Sequence, residues 1–305
     1  MLYPLKFKPI IKTLVWGVER WLLSAYEGDE SVVSEGSDAG KSLPELIREY
    51  KGALVGKSVY QSFGERFPLL IKDIVSHDQL SIQVHPDDAL ARKRGLGNGK
   101  TEMWYIHAAE PGAFLMSGFS HWVTPEQYQE LVEEHRITEV LAHHPVAPGD
   151  VFFIPAGRIH SIGAGVSLYE IQQTSDTTYR IYDFGRLGLD GAPRKLHTAE
   201  ALEAIDFSVY DNYRAALPLQ CPYFTTDRLD VTEKRRLDLR ETDSFLAVIG
   251  LEGKVVLETS ILHGWATKGH RTELSEGEIV LIPAASSWLS VTPEGPEASV
   301  LTTHV

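Results

Sequence analysis

The chain has 305 residues and a single cysteine, Cys221, so it can form neither an internal disulfide nor a cysteine-rich zinc motif. A lone thiol suits a reducing compartment. No apolar stretch approaches the roughly 18 residues needed to cross a bilayer, and the opening MLYPLKFKPI lacks the apolar core of a signal peptide. Basic residues are scarce: 29 Lys+Arg stand against 42 Asp+Glu, for a formal net charge of −13. Such a chain repels phosphate backbones and anionic lipid, so nucleic acid and membranes are poor partners. The expected address is the cytoplasm. The 43% hydrophobic and 23% charged residues are otherwise those of an ordinary globular protein, as one large domain or two modest ones.

Helical signals are also few. Ser42-Leu43-Pro44-Glu45 and Thr124-Pro125-Glu126-Gln127 are capping-box patterns, the first opening a helix toward Tyr50. Val140 and Leu141 are read into a further short helix, and His197 to Ile205 into another, with Ala201, Leu202 and Ile205 on one side. Most other segments read as short strands between Gly and Pro: Leu80–Val84, Glu102–His107, Val151–Ile154, Val166–Gln172, Thr178–Phe184, Phe245–Ile249, Lys254–Glu258 and Ile279–Ile282. Without alternating strands and long helices, a doubly wound parallel sheet is excluded and an antiparallel barrel or sandwich is expected.

Gly149-Asp150-Val151-Phe152-Phe153-Ile154-Pro155-Ala156 recurs 128 positions later as Gly277-Glu278-Ile279-Val280-Leu281-Ile282-Pro283-Ala284. Each copy is a turn, an acidic residue, a buried strand and a terminating proline, which predicts two β-barrel lobes from one module. Carrying the offset forward places Trp288 where the first copy has His160. Indole does not ligate metals, so any metal chemistry is expected in the first lobe alone.

Four stretches could carry chemistry. In Ser81-Ile82-Gln83-Val84-His85-Pro86-Asp87-Asp88, strand alternation sets Gln83 and His85 on one face, which is either the solvent face or an inner face that binds something. In Gly99-Lys100-Thr101-Glu102, the glutamate opens an apolar strand. The preceding Gly-rich run resembles a phosphate loop but has Arg94 where the first glycine is required, and Lys100 precedes a strand, so nucleotide binding is rejected. Pro155-Ala156-Gly157-Arg158-Ile159-His160 is a corner whose Gly157 and Gly163 permit a tight turn, with His160 opening the return strand. A lone histidine there is more often a packing residue than a ligand. In Glu170 to Arg186, Glu170 and Gln172 share a face, and Arg180 is read on the face of Tyr182 and Phe184, as a substrate anchor or a surface stem. The remaining histidines, including His107, His144, His197 and His263, read as surface or loop residues. Two histidines, a carboxylate and an amide form a plausible zinc set with a position left open for water or substrate, although no local zinc spacing supports it.

The ordered set Trp16-Gly17, Phe67 to Lys72, Leu80 to Asp88, Gly99 to Tyr105, Pro155 to His160 and Tyr179 to Asp183 resembles the type I mannose-6-phosphate isomerases, zinc enzymes of the cupin fold, in their shorter bacterial form. The likeness spans most of the first 190 residues. It implies a mainly β fold of two cupin-type antiparallel jelly-roll lobes with a few short helices. The expected division is a metal-bearing catalytic domain over 1–210 and a second cupin-like domain without metal over 211–305. It implies one Zn2+ held by Gln83, His85, Glu102 and His160, a catalytic Arg180, and Lys100 as an acid/base or substrate-contacting group. Lys72 and Asp87 are further expected substrate contacts. At Gly99 longer members carry a histidine, so no role of that histidine transfers.

The implied reaction interconverts mannose 6-phosphate and fructose 6-phosphate through a cis-enediolate. Zinc would polarise the carbonyl, Lys100 would pass the proton, with a zinc-linked water or Asp87 as other candidates, and Arg180 would hold enediolate or phosphate oxygens. A sugar phosphate is thus the expected partner, and its pocket must be locally positive in so acidic a chain. The competing readings are a non-catalytic cupin that binds a sugar phosphate and another metal-dependent cupin enzyme such as an iron oxygenase.

Overall fold

A computed structural model describes residues 2–263 and 266–305, with side chains except those of 262–268. The expected surface placement of His263 therefore lies outside the described side chains. The fold is mainly β, as expected. The six α-helices among the described residues are short, the longest being the nine-residue Pro125–Glu133. No helix among the described residues is long and apolar enough to cross a membrane.

Two compact units are present. A central unit comprises Ile11–Arg20 and Ile71–Ala216, and a terminal unit comprises Met1–Ile10, Trp21–Leu70 and Leu217–Val305. This differs from a division at residue 210, and strand pairing gives the reason. Leu5–Lys8 pairs with Ile279–Ile282, Leu5 opposite Leu281, which draws the N-terminal chain into the unit of the C-terminal third.

In the central unit, a five-stranded sheet runs in the order Leu141–Pro145, Phe114–Phe119, His160–Ile162, Ile82–Val84, Tyr179–Tyr182. A second sheet sets Val151–Ile154, Glu102–Ala109, Val166–Gln173 and Leu69–Ser76 side by side. Leu115 and Ile162 of the first sheet pack with Trp104, Ile106, Phe152, Ile154 and Leu168 of the second, forming the core between them. The other face of the five-stranded sheet, with Ile82, Val84 and Ile181, packs under Tyr128 and Val132 of the helix Pro125–Glu133 and Ala201 of the helix Thr198–Ala204. Because side chains alternate along a strand, Gln83 and His160 point inward, between the sheets.

The terminal unit repeats this plan. Ile279–Ile282, Leu246–Glu252 and Ala298–His304 are adjacent in one sheet, matching Val151–Ile154, Glu102–Ala109 and Val166–Gln173. Arg235–Asp238, Ser286–Pro293 and Lys254–His263 are adjacent in the other, matching Ile82–Val84, His160–Ile162 and Phe114–Phe119. Its core holds Leu246, Val248, Val255, Leu257, Ile282, Leu289 and Val291.

Both capping boxes form. Ser42 accepts from the Glu45 amide while the Ser42 amide donates to Glu45 at 2.7 Å, and Thr124 and Gln127 do the same. Two readings change. Val140 ends a 3-10 turn, Ile137–Val140, and Leu141 begins a strand instead of continuing a helix. The helices Gly52–Val55, Lys57–Phe63 and Asp88–Lys93, of four to seven residues, are too short to show a periodic pattern.

Gly163 is required by space. Its amide donates to the Phe114 carbonyl at 3.0 Å, and a Cβ there would lie 2.1 Å from that oxygen. Gly163→Ala is expected to cost about 1–3 kcal/mol by prising Phe114–Phe119 from His160–Ile162. Thermal unfolding checks this, and an unchanged midpoint would contradict it.

Candidate metal centre

Three separate strands deliver one cluster. Gln83 lies opposite His160 across one ladder and opposite Arg180 across the next, so the three side chains leave the same face in one row. Glu102 lies on the facing sheet, opposite Ile154. Just beyond the strand Ile82–Val84, Pro86 follows His85, whose carbonyl accepts from the Gly157 amide at 2.9 Å and ties this strand to the corner before His160.

Ligand atoms of His85, Glu102 and His160 all lie within 4.8 Å of one another, and the three side chains are fully buried. Each imidazole is oriented from behind. His85 Nδ1 donates to the Thr177 carbonyl at 2.9 Å, and His160 Nδ1 donates to the Arg158 carbonyl at 2.8 Å. Both Nε2 lone pairs therefore face Glu102, at 3.5 Å from Oε2 for His85 and 3.6 Å from Oε1 for His160. Gln83 Nε2 lies 3.3 Å from His160 Nε2, and half a turn of the amide presents Oε1 instead. Glu102 Oε1 accepts no hydrogen bond among the described residues, and Oε2 faces the Lys100 ammonium. A buried carboxylate with one orphaned oxygen, faced by two nitrogen lone pairs, is a donor set that fits a divalent cation of the zinc type.

Lys100 and a second carboxylate complete the charge pattern. Lys100 Nζ is 2.9 Å from Glu102 Oε2 and 3.1 Å from His85 Nε2. Glu170 accepts from Trp104 Nε1 at 3.1 Å and pairs with Lys72 Nζ at 3.2 Å. Burial, then the Lys100 charge, pushes His85 well below the usual imidazole range, and burial lowers His160 to about 4. Burial and the neighbouring Glu170 raise Glu102 to about 7 against the pull of Lys100. For Glu170 burial also acts upward, but Lys100 and Lys72 outweigh it and keep the group ionised.

The other expected residues fall around this cluster. Arg180 is half-buried. Its Nη1 donates to the Lys195 carbonyl at 3.0 Å, while its Nε is buried and donates to no acceptor among the described residues. Tyr182 does not share its face. A bulge at Ile181 sets Tyr182 opposite Ile82, so it packs on the helix-covered side. Lys72 is buried, with Glu19 at 3.6 Å and Glu170 at 3.2 Å, and those two carboxylates, against the cost of burial, hold its ammonium charged. Asp87 lies apart and exposed, its carboxylate capping the helix Asp88–Lys93 through the Leu90 amide at 2.7 Å. At Gly99 a Cβ would lie 2.6 Å from the Asp88 amide nitrogen, so no side chain fits there.

Two contributors escaped the sequence reading. Glu170 was visible only as a polar residue on a strand face, and its partners Lys72, Trp104 and Lys100 are distant in sequence. His197, read as a surface residue, brackets the Arg180 peptide: its amide donates to the Arg180 carbonyl at 2.7 Å, and its Nδ1 accepts from the Arg180 amide at 3.2 Å.

The second lobe corrects the reading of Trp288. Leu289, not Trp288, points into the core, opposite Leu237. His160 lies five residues after Pro155 and Leu289 six after Pro283, and one extra residue exchanges the faces of a strand. By the same registers, Gln83, His85, Glu102 and His160 correspond to Leu237, Leu239, Leu246 and Leu289. All four pack in or against the apolar core and offer no ligand atom.

A family model for the phosphomannose isomerase type I catalytic domain matches residues 9–129, a span that includes Gln83, His85, Lys100 and Glu102. The mannose-6-phosphate isomerase ManA of Bacillus subtilis is 32% identical over 282 residues, covering 83% of this chain and 87% of that protein. The chain belongs to the type I phosphomannose isomerases. The mannose-6-phosphate isomerase of Streptococcus mutans is 34% identical over 246 residues, covering 77% of this chain and 75% of its own. The crystal structure of the mannose 6-phosphate isomerase from Bacillus subtilis superposes with a TM-score of 0.85 over 100% of both chains at 27% identity. The Salmonella typhimurium enzyme in its apo form, at 18% identity and a TM-score of 0.75, shares the fold. The phosphomannose isomerase fold, two cupin lobes, is thus the architecture of this chain.

The protonation pattern sets a pH dependence. Both histidines are already neutral near pH 7, whereas Glu102 retains its proton up to about 7 and must lose it to ligate. Divalent-metal affinity is expected to rise about tenfold per pH unit below 7 and to level off above it, one proton being released per ion. Chelator competition between pH 6 and 8 checks this, and a flat profile below 7 would contradict it.

Proposed function

We propose that this chain interconverts mannose 6-phosphate and fructose 6-phosphate, using one zinc ion held by His85, Glu102 and His160 with Gln83 as a fourth donor. The reading rests above all on the buried His85–Glu102–His160 cluster in a chain of the type I family. Zinc, when bound, supplies Lewis-acid polarisation of the sugar's carbonyl and hydroxyl oxygens.

The chain's own groups do the rest. Aldose–ketose interconversion moves one proton between adjacent carbons on one face of an open-chain sugar. Lys100 is the group placed to carry it: once it has given up its ammonium proton, the free amine would take the proton from C2 of the aldose and return it to C1. Its Nζ lies 3.1 Å from His85 Nε2 and 2.9 Å from Glu102 Oε2, beside the point where the donors converge. Arg180 leaves the sheet in the same row as Gln83 and His160, and its unsatisfied Nε supplies a fixed donor for enediolate or phosphate oxygens. Glu170, charged and pinned by Lys72 and Trp104, favours the protonated form of Glu102 until metal enters. Lys72 and Asp87 are left out of the substrate-contacting set, the first because two carboxylates hold it and the second because it caps a helix.

The substrate is an anion in a chain of net charge −13, and the far field is screened beyond about 8–10 Å at physiological salt. Binding therefore depends on the local cations. The single thiol Cys221 is free, in keeping with a cytoplasmic address.

The defining experiment supplies mannose 6-phosphate to zinc-loaded protein and reads fructose 6-phosphate with a coupled assay. A sugar-phosphate-binding cupin or an iron oxygenase would give none. Arg180→Ala is expected to keep its metal and lose about 10²–10³-fold in kcat/KM. Wild-type turnover in that variant would remove Arg180 from the mechanism.

A further inference from the structure

Arg180 lies on an edge strand. Tyr179–Tyr182 ends the five-stranded sheet, with Ile82–Val84 on one side of it. On the open side His197 stands in for a further strand. Its amide donates to the Arg180 carbonyl at 2.7 Å, and its Nδ1 accepts from the Arg180 amide at 3.2 Å. A main-chain donor and an imidazole nitrogen thus satisfy both main-chain groups of Arg180. In an antiparallel ladder the two main-chain groups of a residue turn to the same neighbour. Those of Arg180 turn to His197, so Arg180 and Gln83, which face each other across the ladder, are a pair without mutual hydrogen bonds. Side chains of such pairs stand closer than those of hydrogen-bonded pairs.

The segment that carries His197 is fastened along its length. Arg194 Nε donates to Asp183 Oδ2 at 2.7 Å, and the Lys195 carbonyl accepts from Arg180 Nη1 at 3.0 Å. His197 is also the N-cap residue of the helix Thr198–Ala204, where its carbonyl accepts from the Ala201 amide at 2.8 Å. Ala201 packs with Ile181 in the core beneath, which anchors the helix to the strand that holds Arg180. The His197 side chain makes no capping bond to this helix and is turned to the strand instead. Burial, against the pull of Glu200, and then the Arg180 and Lys195 charges lower His197 below the usual imidazole range, which keeps the Nδ1 lone pair available. Arg180 is therefore held at both ends, its main chain by His197 and its Nη1 by Lys195, while its buried Nε is the nitrogen left unmatched among the described residues.

We propose that His197 is a positioning residue of the site: by completing the open edge of the strand it fixes the direction of the Arg180 guanidinium. What Arg180 then does rests on the isomerase reading above, whereas the hold of His197 on Arg180 does not. His197 acts through Arg180 and touches neither metal nor substrate. Without its Nδ1 the Arg180 amide has no acceptor, the Lys195 carbonyl loses its nearest fastening, and the guanidinium is free to turn away. A misplacement of about 1 Å in such a group costs on the order of 10²-fold in rate.

The test compares His197→Ala, His197→Gln and His197→Asn in the full-length, zinc-loaded protein. Asparagine sets an acceptor oxygen where Nδ1 stands, and glutamine sets it one bond farther out. The alanine and glutamine variants are expected to keep one zinc and lose about 10–100-fold in kcat/KM, and the asparagine variant to recover most of that loss. Added to Arg180→Ala, His197→Ala should cost nothing more, because both changes remove one interaction. A second readout needs no turnover. The Arg180 Nε–H resonance in nitrogen-correlated NMR, assigned by its absence from Arg180→Lys, should be distinct and slowly exchanging in wild type and His197→Asn, and lost to exchange in the other two. The proposal is overturned if His197→Ala keeps wild-type kcat/KM, if its loss recurs in full on top of Arg180→Ala, or if the Arg180 Nε–H resonance is unchanged in His197→Ala. A wild-type protein that does not isomerise would contradict the proposed reaction and leave this inference to be decided by the resonance.

Discussion

One buried carboxylate governs the central lobe. Glu102 is sealed from water, with Oε1 left without a hydrogen bond among the described residues, an arrangement that costs several kcal/mol unless cations compensate. Lys100 supplies one positive charge, and the two imidazole lone pairs turned toward Glu102 make room for another. The surrounding framework serves that geometry. Carbonyls of Thr177 and Arg158 fix the imidazoles, the tie from Gly157 to His85 joins two strands, and the close contact at Gly163 sets the strand that carries His160.

The two lobes show what such a centre requires beyond the fold. They share strand order and the Gly-to-Pro strand motif, yet one concentrates nitrogen and oxygen donors where the other places four leucines. The scaffold tolerates either content because both fill the space between the sheets. One inserted residue moved Trp288 from the interior to the cleft beside Arg236 and Arg240, converting an expected core position into a surface one.

Much of this was legible in the sequence where the signal is local. Pro86 and Pro155 end strands, Ser42 and Thr124 cap helices, and alternation sets Gln83 and Glu102 apart from their apolar neighbours. The donor set was named through family likeness, since no local zinc spacing announces it. What stayed hidden depends on register or on distant partners. The pairing of Leu5 with Leu281 decides the unit boundary. The bulge at Ile181 separates Arg180 from Tyr182. Lys72 and Asp87 looked like substrate contacts because a cation and a carboxylate near a site invite that role, while Glu19, Glu170 and a helix amide that engage them lie outside any local pattern. His197 gave no sign of its two hydrogen bonds to Arg180.

The central claim is that His85, Glu102, His160 and Gln83 surround one ion. Zinc-edge X-ray absorption on protein loaded with a single equivalent of zinc reads that environment directly. The expected spectrum has a first shell of nitrogen and oxygen only, at about 2.0–2.2 Å, with outer-shell scattering from two imidazoles. A sulfur shell, or a shell of light atoms without imidazole scattering, would place the ion elsewhere and contradict the assignment.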